Sequence, residues 1–257
     1  MKIETLTVVG AAALGRTIAR LAARAGIRTV LEDITGQMIG PAMEELKGLS
    51  IEPCTRIEDS VRDADMVIEA VPEDMETKLE IFTVLDKSSK PGAILVSTTS
   101  ALSVTELASI TLRAERMVGM HFYDTLIEVV RGLDTGSEAL EGAEEVARRM
   151  GVESILIRES AGFVINRLVA LQVNEAFALV REGVAAPEAI DKAMTLAGGA
   201  ATGPFEWADR VGLDNLLQEL ERLEKAYGER YRPNPLLTQY VRAGRTGKRA
   251  GRGVYRY

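Results

Sequence analysis

Val8-Val9-Gly10-Ala11-Ala12-Ala13-Leu14-Gly15 is the stretch whose reading decides the fold. Val8 and Val9 close a short β-rich run over residues 6–9. From Gly15 onward, apolar residues recur at helical spacing, at Ile18, Leu21, Ala22 and Ala25. A strand therefore turns sharply into a helix between two glycines. The pattern is a G-x-G-x-x-G with Ala12 at the middle position, where glycine normally lets the backbone approach a pyrophosphate. The helix start still offers unpaired N–H groups to phosphate. The Ala12 methyl predicts a loop set slightly back, or a weaker hold. Asp33 ends the next β-rich run and would accept hydrogen bonds from adenosine ribose hydroxyls. A carboxylate there repels a 2′-phosphate, which favours NAD over NADP. On local grounds alone, Asp33 could instead cap the following helix.

Outward from that turn, strands and helices alternate. The β-rich runs are residues 29–31, 54–57 (weak), 66–71, 93–97 and 117–121. Helical stretches fall at 40–46, 75–85 and 103–108. This order predicts an α/β domain of the Rossmann type, a doubly wound parallel sheet covered on both faces, with ligand sites at the carboxyl ends of its strands. After a strand at 154–157 the pattern changes to a long apolar helix over 163–182. Helices and loops punctuated by Pro187, Pro204, Pro233 and Pro235 follow. The expected division is a dinucleotide-binding domain over 1–158 and a smaller all-helical domain over 159–257.

The bulk numbers fit a globular protein of one large or two small domains. There are 257 residues, with 38 acids against 31 bases and a net charge of −7, so nothing attracts the chain as a whole to nucleic acid or anionic membranes. Residues 242–256 are rich in Arg, Lys and Gly, but no stacking platform accompanies them, and nucleic acid is not an expected partner. The opening residues lack the apolar core of a signal peptide, and no apolar run approaches the ~20 residues of a membrane span. The single cysteine, Cys54, reads as a small buried hydrophobe in a reducing cytoplasm. No metal site is expected.

The chain has one histidine, His121, at the end of a strand, and seven residues later Glu128 interrupts the apolar run Leu126-Ile127-Glu128-Val129-Val130. An acid in such a run is costly unless paired. If the chain reverses at Asp124-Thr125, then Tyr123 faces Leu126, Phe122 faces Ile127 and His121 faces Glu128. Opposed residues lie with Cβ atoms about 5 Å apart, close enough for an imidazole–carboxylate hydrogen bond. Such a pair fixes the tautomer and makes the imidazole a better general base.

Beyond these local readings, the chain resembles the L-3-hydroxyacyl-CoA dehydrogenase family over nearly its full length. The resemblance rests on VVGAAALG, VIEAVPED, ILVSTTSALSVTELA, RMVGMHF, IEVVRG, SAGFVINRL, TGPFEWADRVGLD and GKRAGRGVYRY, in that order. It implies NAD-dependent oxidation of the 3-hydroxyl of an acyl-CoA, or the reverse reduction, by a homodimer joined through the helical domain. It further implies His121 as general base, Glu128 as its partner, Ser100 on the reacting hydroxyl and Asn166 holding substrate. Cofactor contacts fall to Gly10, Ala12, Leu14, Gly15 and Asp33, to Glu73 and Lys78 at the nicotinamide half, and to Arg249. Without the resemblance, Ser100 is a turn residue, Asn166 a near-cap residue, and Glu73 and Lys78 a solvated helix start.

Four departures bear on substrate. Ala12 replaces the middle glycine, and Thr98 replaces an asparagine. The segment after the histidine is shortened, with the family's Asn-Pro lost and Asp124 nearest in position. Only residues 34–53 fill an interval in which the family carries a longer helical arm against coenzyme A. The expectation is therefore a 3-hydroxyacyl-CoA dehydrogenase with a shortened CoA region. Alternatives are a dehydrogenase of a smaller hydroxy acid without CoA and a non-catalytic NAD-binding homologue.

Overall fold

A computed structural model of the chain describes residues 2–33, 35–123 and 125–257. Asp124, expected at the hairpin turn, and Ile34, which opens the short 34–53 interval, lie outside them. The chain divides into two compact units, Met1–Phe163 and Val164–Tyr257. That division falls later than the expected 158/159 for a physical reason. Phe163 is only 3% exposed and belongs to the core of the first unit.

The first unit is built on one eight-stranded sheet of order β3-β2-β1-β4-β5-β6-β7-β8. The strands are β1 (Thr5–Val9), β2 (Arg28–Glu32), β3 (Ile51–Cys54), β4 (Met66–Glu69), β5 (Ile94–Ser97), β6 (Met117–Phe122), β7 (Leu126–Arg131) and β8 (Glu153–Arg158). Strands β1 to β6 are mutually parallel. The parallel expectation stops there, because β7 runs antiparallel to β6, and β8 is parallel to β7.

Helices α1 (Ala13–Arg24), α2 (Ile39–Glu45) and α6 (Ser137–Arg149) cover one face. Helices α3 (Ile57–Val61), α4 (Met75–Ser88) and α5 (Val104–Ser109) cover the other. The third strand sits earlier than the expected 54–57, and residues 57–61 are helical. Glu58 and Asp59 in the first turn of α3 suit a helix start. Pro53, which lacks a ladder donor, is tolerated because β3 is an edge strand.

The second unit is all helical, with α7 (Ile165–Arg181), α8 (Pro187–Leu196), α9 (Pro204–Val211), α10 (Leu213–Tyr227) and α11 (Pro235–Arg242). Pro187, Pro204 and Pro235 are first residues of helices rather than loop residues, the position where a missing N–H costs nothing. Phe177 packs edge-on against Phe205, with ring centroids 5.1 Å apart. The glycine-rich tail is drawn onto α9. Asp209 accepts hydrogen bonds from the Val254 and Tyr255 amides, and a Cβ at Gly253 would fall 1.9 Å from its Oδ1.

Candidate active site

The carboxyl ends of β1, β2, β4, β5 and β6 gather the candidate groups of the first unit. At the end of β1, Gly10 has φ +109°, and a Cβ there would meet the Ala70 carbonyl oxygen at 2.6 Å. A Cβ at Gly15 would sit 1.8 Å from the Gly10 oxygen, so both glycines are demanded by close backbone approach. Ala12 is exposed and has an ordinary φ of −72° as the residue before α1, so its methyl strains nothing in the turn itself. Helix α1 has no side-chain cap and no acid in its first turn, which leaves its leading N–H groups for an anion. Leu14, in that first turn, is 36% exposed. A glycine cradle facing an uncapped helix start fits a dinucleotide pyrophosphate.

Asp33 follows β2, half-buried, and accepts a hydrogen bond from Thr35 Oγ1 at 2.6 Å. It does not cap α2, whose N-cap is Met38. Beside it is an acid that the sequence reading passed over. Glu32 is fully buried, and neither carboxyl oxygen has a hydrogen-bond partner among the described residues. Burial, reinforced by the charges of Asp33 and Glu58, pushes it up to about 7.

Beyond β4, Glu73 precedes the Asp74 cap of α4. Its Oε1 accepts from Thr99 Oγ1 at 2.6 Å, from the Ser100 amide at 2.9 Å, from Ser100 Oγ at 3.3 Å and from the Ala101 amide at 3.1 Å. Burial works against the charge of Glu73. The Thr99 hydroxyl, the Lys78 ammonium and the two loop amides outweigh it and hold the carboxyl below its ordinary range. Lys78 is not a solvated helix start. It is wholly buried, with Nζ 2.6 Å from Glu69 Oε1 and 3.6 Å from Glu73 Oε2. Its ammonium is shared between these two carboxylates.

His121 and Glu128 face each other across β6 and β7, in the register His121↔Glu128 and Phe122↔Ile127. The Tyr123 amide donates to the Leu126 carbonyl, which extends that register. Nδ1 of His121 lies 2.8 Å from Oε2 of Glu128, and Glu128 is fully buried. A carboxylate only accepts, so the Nδ1–H donates to it and Nε2 is left as the basic nitrogen. Two aromatic rings flank the imidazole, Tyr123 at 4.6 Å and Phe163 at 5.7 Å between centroids. Neither was anticipated. Tyr123 shares the face of His121 by strand alternation, a signal present in the sequence. Phe163 takes a positive φ of 49° that no local pattern announces for a phenylalanine.

In the second unit, Asn166 occupies the first turn of α7. Arg249 is exposed and paired with Asp214 at 3.1 Å.

A doubly wound sheet with a tight glycine turn at an uncapped helix start and an acid at the end of its second strand, carrying a histidine–carboxylate pair and followed by a helical unit, is the architecture of a two-domain NAD-dependent dehydrogenase. The comparisons with known proteins give the class its family. Residues 5–160 match the model of the 3-hydroxyacyl-CoA dehydrogenase NAD-binding domain, and residues 162–257 match that family's C-terminal domain. The chain belongs to the 3-hydroxyacyl-CoA dehydrogenase family.

It is 38% identical over 282 positions to a Bacillus subtilis protein named "Probable 3-hydroxybutyryl-CoA dehydrogenase", covering 100% of this chain and 98% of the relative. Against a 3-hydroxybutyryl-CoA dehydrogenase of Bradyrhizobium diazoefficiens it is 35% identical over 280 positions, covering 99% and 96%. The crystal structure of (S)-3-hydroxybutyryl-CoA dehydrogenase from Ralstonia eutropha superposes with a TM-score of 0.94 at 33% identity, covering 100% of this chain and 99% of that one. The chain is an NAD-dependent oxidoreductase of this family, and among its described residues no helix is long and apolar enough to cross a membrane.

Proposed function

We propose that the chain interconverts an L-3-hydroxyacyl-CoA and the 3-ketoacyl-CoA, with His121 as general base. The observation that carries this reading is the 2.8 Å pairing of His121 with the buried Glu128 at the carboxyl edge of the sheet. Bound NAD supplies a hydride acceptor at its nicotinamide. His121 Nε2 takes the hydroxyl proton as the carbon–hydrogen bond gives up its electron pair. Glu128 stabilises the imidazolium that results, and the proton transfer to His121 contributes about 10²–10⁴-fold, the size general-base catalysis provides. Ser100, held by Glu73, orients the hydroxyl oxygen, and Asn166 completes the hold on substrate. Gly10, Ala12, Leu14, Gly15 and Asp33 hold the adenosine and pyrophosphate half of the cofactor. Glu73 borders its nicotinamide half, with Lys78 acting through Glu73, and Arg249 is a further basic residue for the cofactor.

A shortened grip on coenzyme A belongs to the same proposal. Between β2 and β3 the chain fits only the short helix α2. The Bacillus subtilis alignment runs over 282 positions although this chain has 257 residues, so the relative carries segments that are missing here. The same observation favours a second reading, a smaller 3-hydroxy acid taken without CoA. The helical unit presents Leu168, Val184 and Leu196, 64–76% exposed, which supports a homodimer formed through it. The lone free Cys54 supports a reducing, cytoplasmic setting.

NADH oxidation with acetoacetyl-CoA and with free acetoacetate, by the wild type and by His121→Ala, tests the proposal. Turnover of the thioester only, lost by at least about 10²-fold in the variant with NADH still bound, is the expected result. Preference for the free acid selects the second reading. Equal loss of turnover and NADH binding in His121→Ala refutes the assigned base.

A further inference from the structure

Glu69 has no part in the chemistry described so far, yet it sits at the centre of the sheet's working edge. It ends β4, the strand between β1 and β5, in register with Val9 on one side and Ser97 on the other. The next residue, Ala70, is the one whose carbonyl oxygen fills the space a side chain at Gly10 would need. Glu69 is fully buried, and every polar contact it makes leads to a functional segment. Oε1 accepts from Lys78 Nζ at 2.6 Å and from the Val71 amide at 2.8 Å, and Oε2 accepts from Ser97 Oγ at 2.9 Å.

A buried carboxylate–ammonium pair contributes little net stability over well-packed hydrophobics, while leaving one partner alone is costly. The arrangement is better explained by what the pair holds. Lys78 has its ammonium 1 Å closer to Glu69 than to Glu73 (2.6 against 3.6 Å). Glu69 thus keeps the positive charge beneath Glu73 without letting it close on Glu73 Oε2. Glu73 is then free to give its other oxygen to the Thr99 hydroxyl and the Ser100 and Ala101 amides. The chain of contacts runs Glu69, Lys78, Glu73, Ser100, with a second tether from Glu69 to the same loop through Ser97.

We infer that Glu69 is a positioning residue for the reaction, a buried anion that sets where Lys78 holds Glu73 and so where Glu73 holds the 98–101 loop and Ser100. This rests on the proposed role of Ser100 and extends it one layer inward. Removing the charge with Glu69→Gln leaves the shape and the Ser97 and Val71 contacts available, but frees the ammonium to move toward Glu73 and drag the loop.

The test is a cycle of Glu69→Gln, Ser100→Ala and the double variant, read by acetoacetyl-CoA turnover and by amide hydrogen exchange. Glu69→Gln is expected to lower kcat by about 10- to 100-fold, the cost of a misplacement of about 1 Å. In the Ser100→Ala background its further effect should shrink to less than about twofold, because coupled residues are not additive. Exchange at the Ser100 and Ala101 amides should quicken at least about tenfold in Glu69→Gln while helix α1 amides stay as protected as before. Should Glu69→Gln fail to fold, Glu69→Asp, which keeps the charge but withdraws it from Lys78, is read in the same way. An equal kcat loss in both backgrounds, or unchanged exchange at Ser100 and Ala101, overturns the inference. If Ser100→Ala itself costs no turnover, the role of Ser100 fails, and the exchange measurement alone decides whether Glu69 holds the loop.

Discussion

At the scale of single residues, the molecule concentrates its unfavourable placements near the proposed chemistry. Glu128 is an acid buried in an apolar strand, made tolerable by His121. Phe163 holds a left-handed backbone conformation that costs roughly 1–3 kcal/mol, and its ring lies against the imidazole. Glu32 is buried without any partner among the described residues, and its titration carries a sign that can be checked. Its carboxyl moves from an ordinary 4.5 to about 7 on folding, chiefly through burial. The folded chain therefore keeps a proton that the unfolded chain releases, so the contribution of Glu32 to stability is fully present below pH 4.5 and is lost as pH rises through 7. Glu32→Gln should flatten Tm against pH across that window and raise Tm at alkaline pH by several degrees, at about 2–4 °C per kcal/mol for a chain of this size. A thermal melt series in which wild type and variant keep the same slope counts against it.

At the scale of elements, the β6–β7 hairpin is the device that brings acid and base together. Alternation with period two, plus a reversal near residue 124, is enough to put His121 opposite Glu128, and that register was legible in the sequence. The closeness of the hairpin to α5 was not. It depends on Gly119, where a Cβ would fall 2.8 Å from Val104 Cγ2 and 2.9 Å from Val130 Cβ. Gly119→Ala is expected to destabilise the chain by about 1–3 kcal/mol through overpacking. Urea unfolding measures this, and an unchanged midpoint would show that α5 and β7 yield more easily than their spacing implies. Element boundaries were less legible where tertiary partners set them. The weak third strand reads as 54–57 but forms at Ile51–Cys54, because its pairing with β2, Glu32 opposite Cys54, ends where β2 ends. Helix α6 was not anticipated, although its buried residues Ala139, Leu140, Ala143, Val146 and Ala147 recur at helical spacing.

At the scale of the whole molecule, the two units each have a core of their own, and the helical unit leaves large apolar side chains in solvent. Scattered exposed leucines are ordinary, but Leu168, Val184 and Leu196 each stand 64–76% exposed in this unit, and side chains of that kind are what the proposed partner copy would cover. Light scattering should therefore report twice the 27.9 kDa of one chain, and Leu168→Glu with Leu196→Glu should lower that mass toward the monomer. A monomeric wild type at micromolar concentration removes the homodimer from the proposal.

The sequence by itself determined what depends on neighbours in the chain. The glycine turn after β1, the alternation of strands and helices, the change to an all-helical second half and the His121–Glu128 register all follow from periods of two and 3.6 and from local turn chemistry. The tertiary structure alone decided which groups Lys78 and Glu73 pair with, and that Glu69, Glu32, Tyr123 and Phe163 belong to the same edge. Their meaning lies in contacts across the sheet, such as Thr99 and Ser100 reaching back to Glu73, and in the withdrawal of charge from water. Neither is encoded by spacing: a lysine at the start of a helix looks the same in sequence whether it faces solvent or is sealed between two carboxylates.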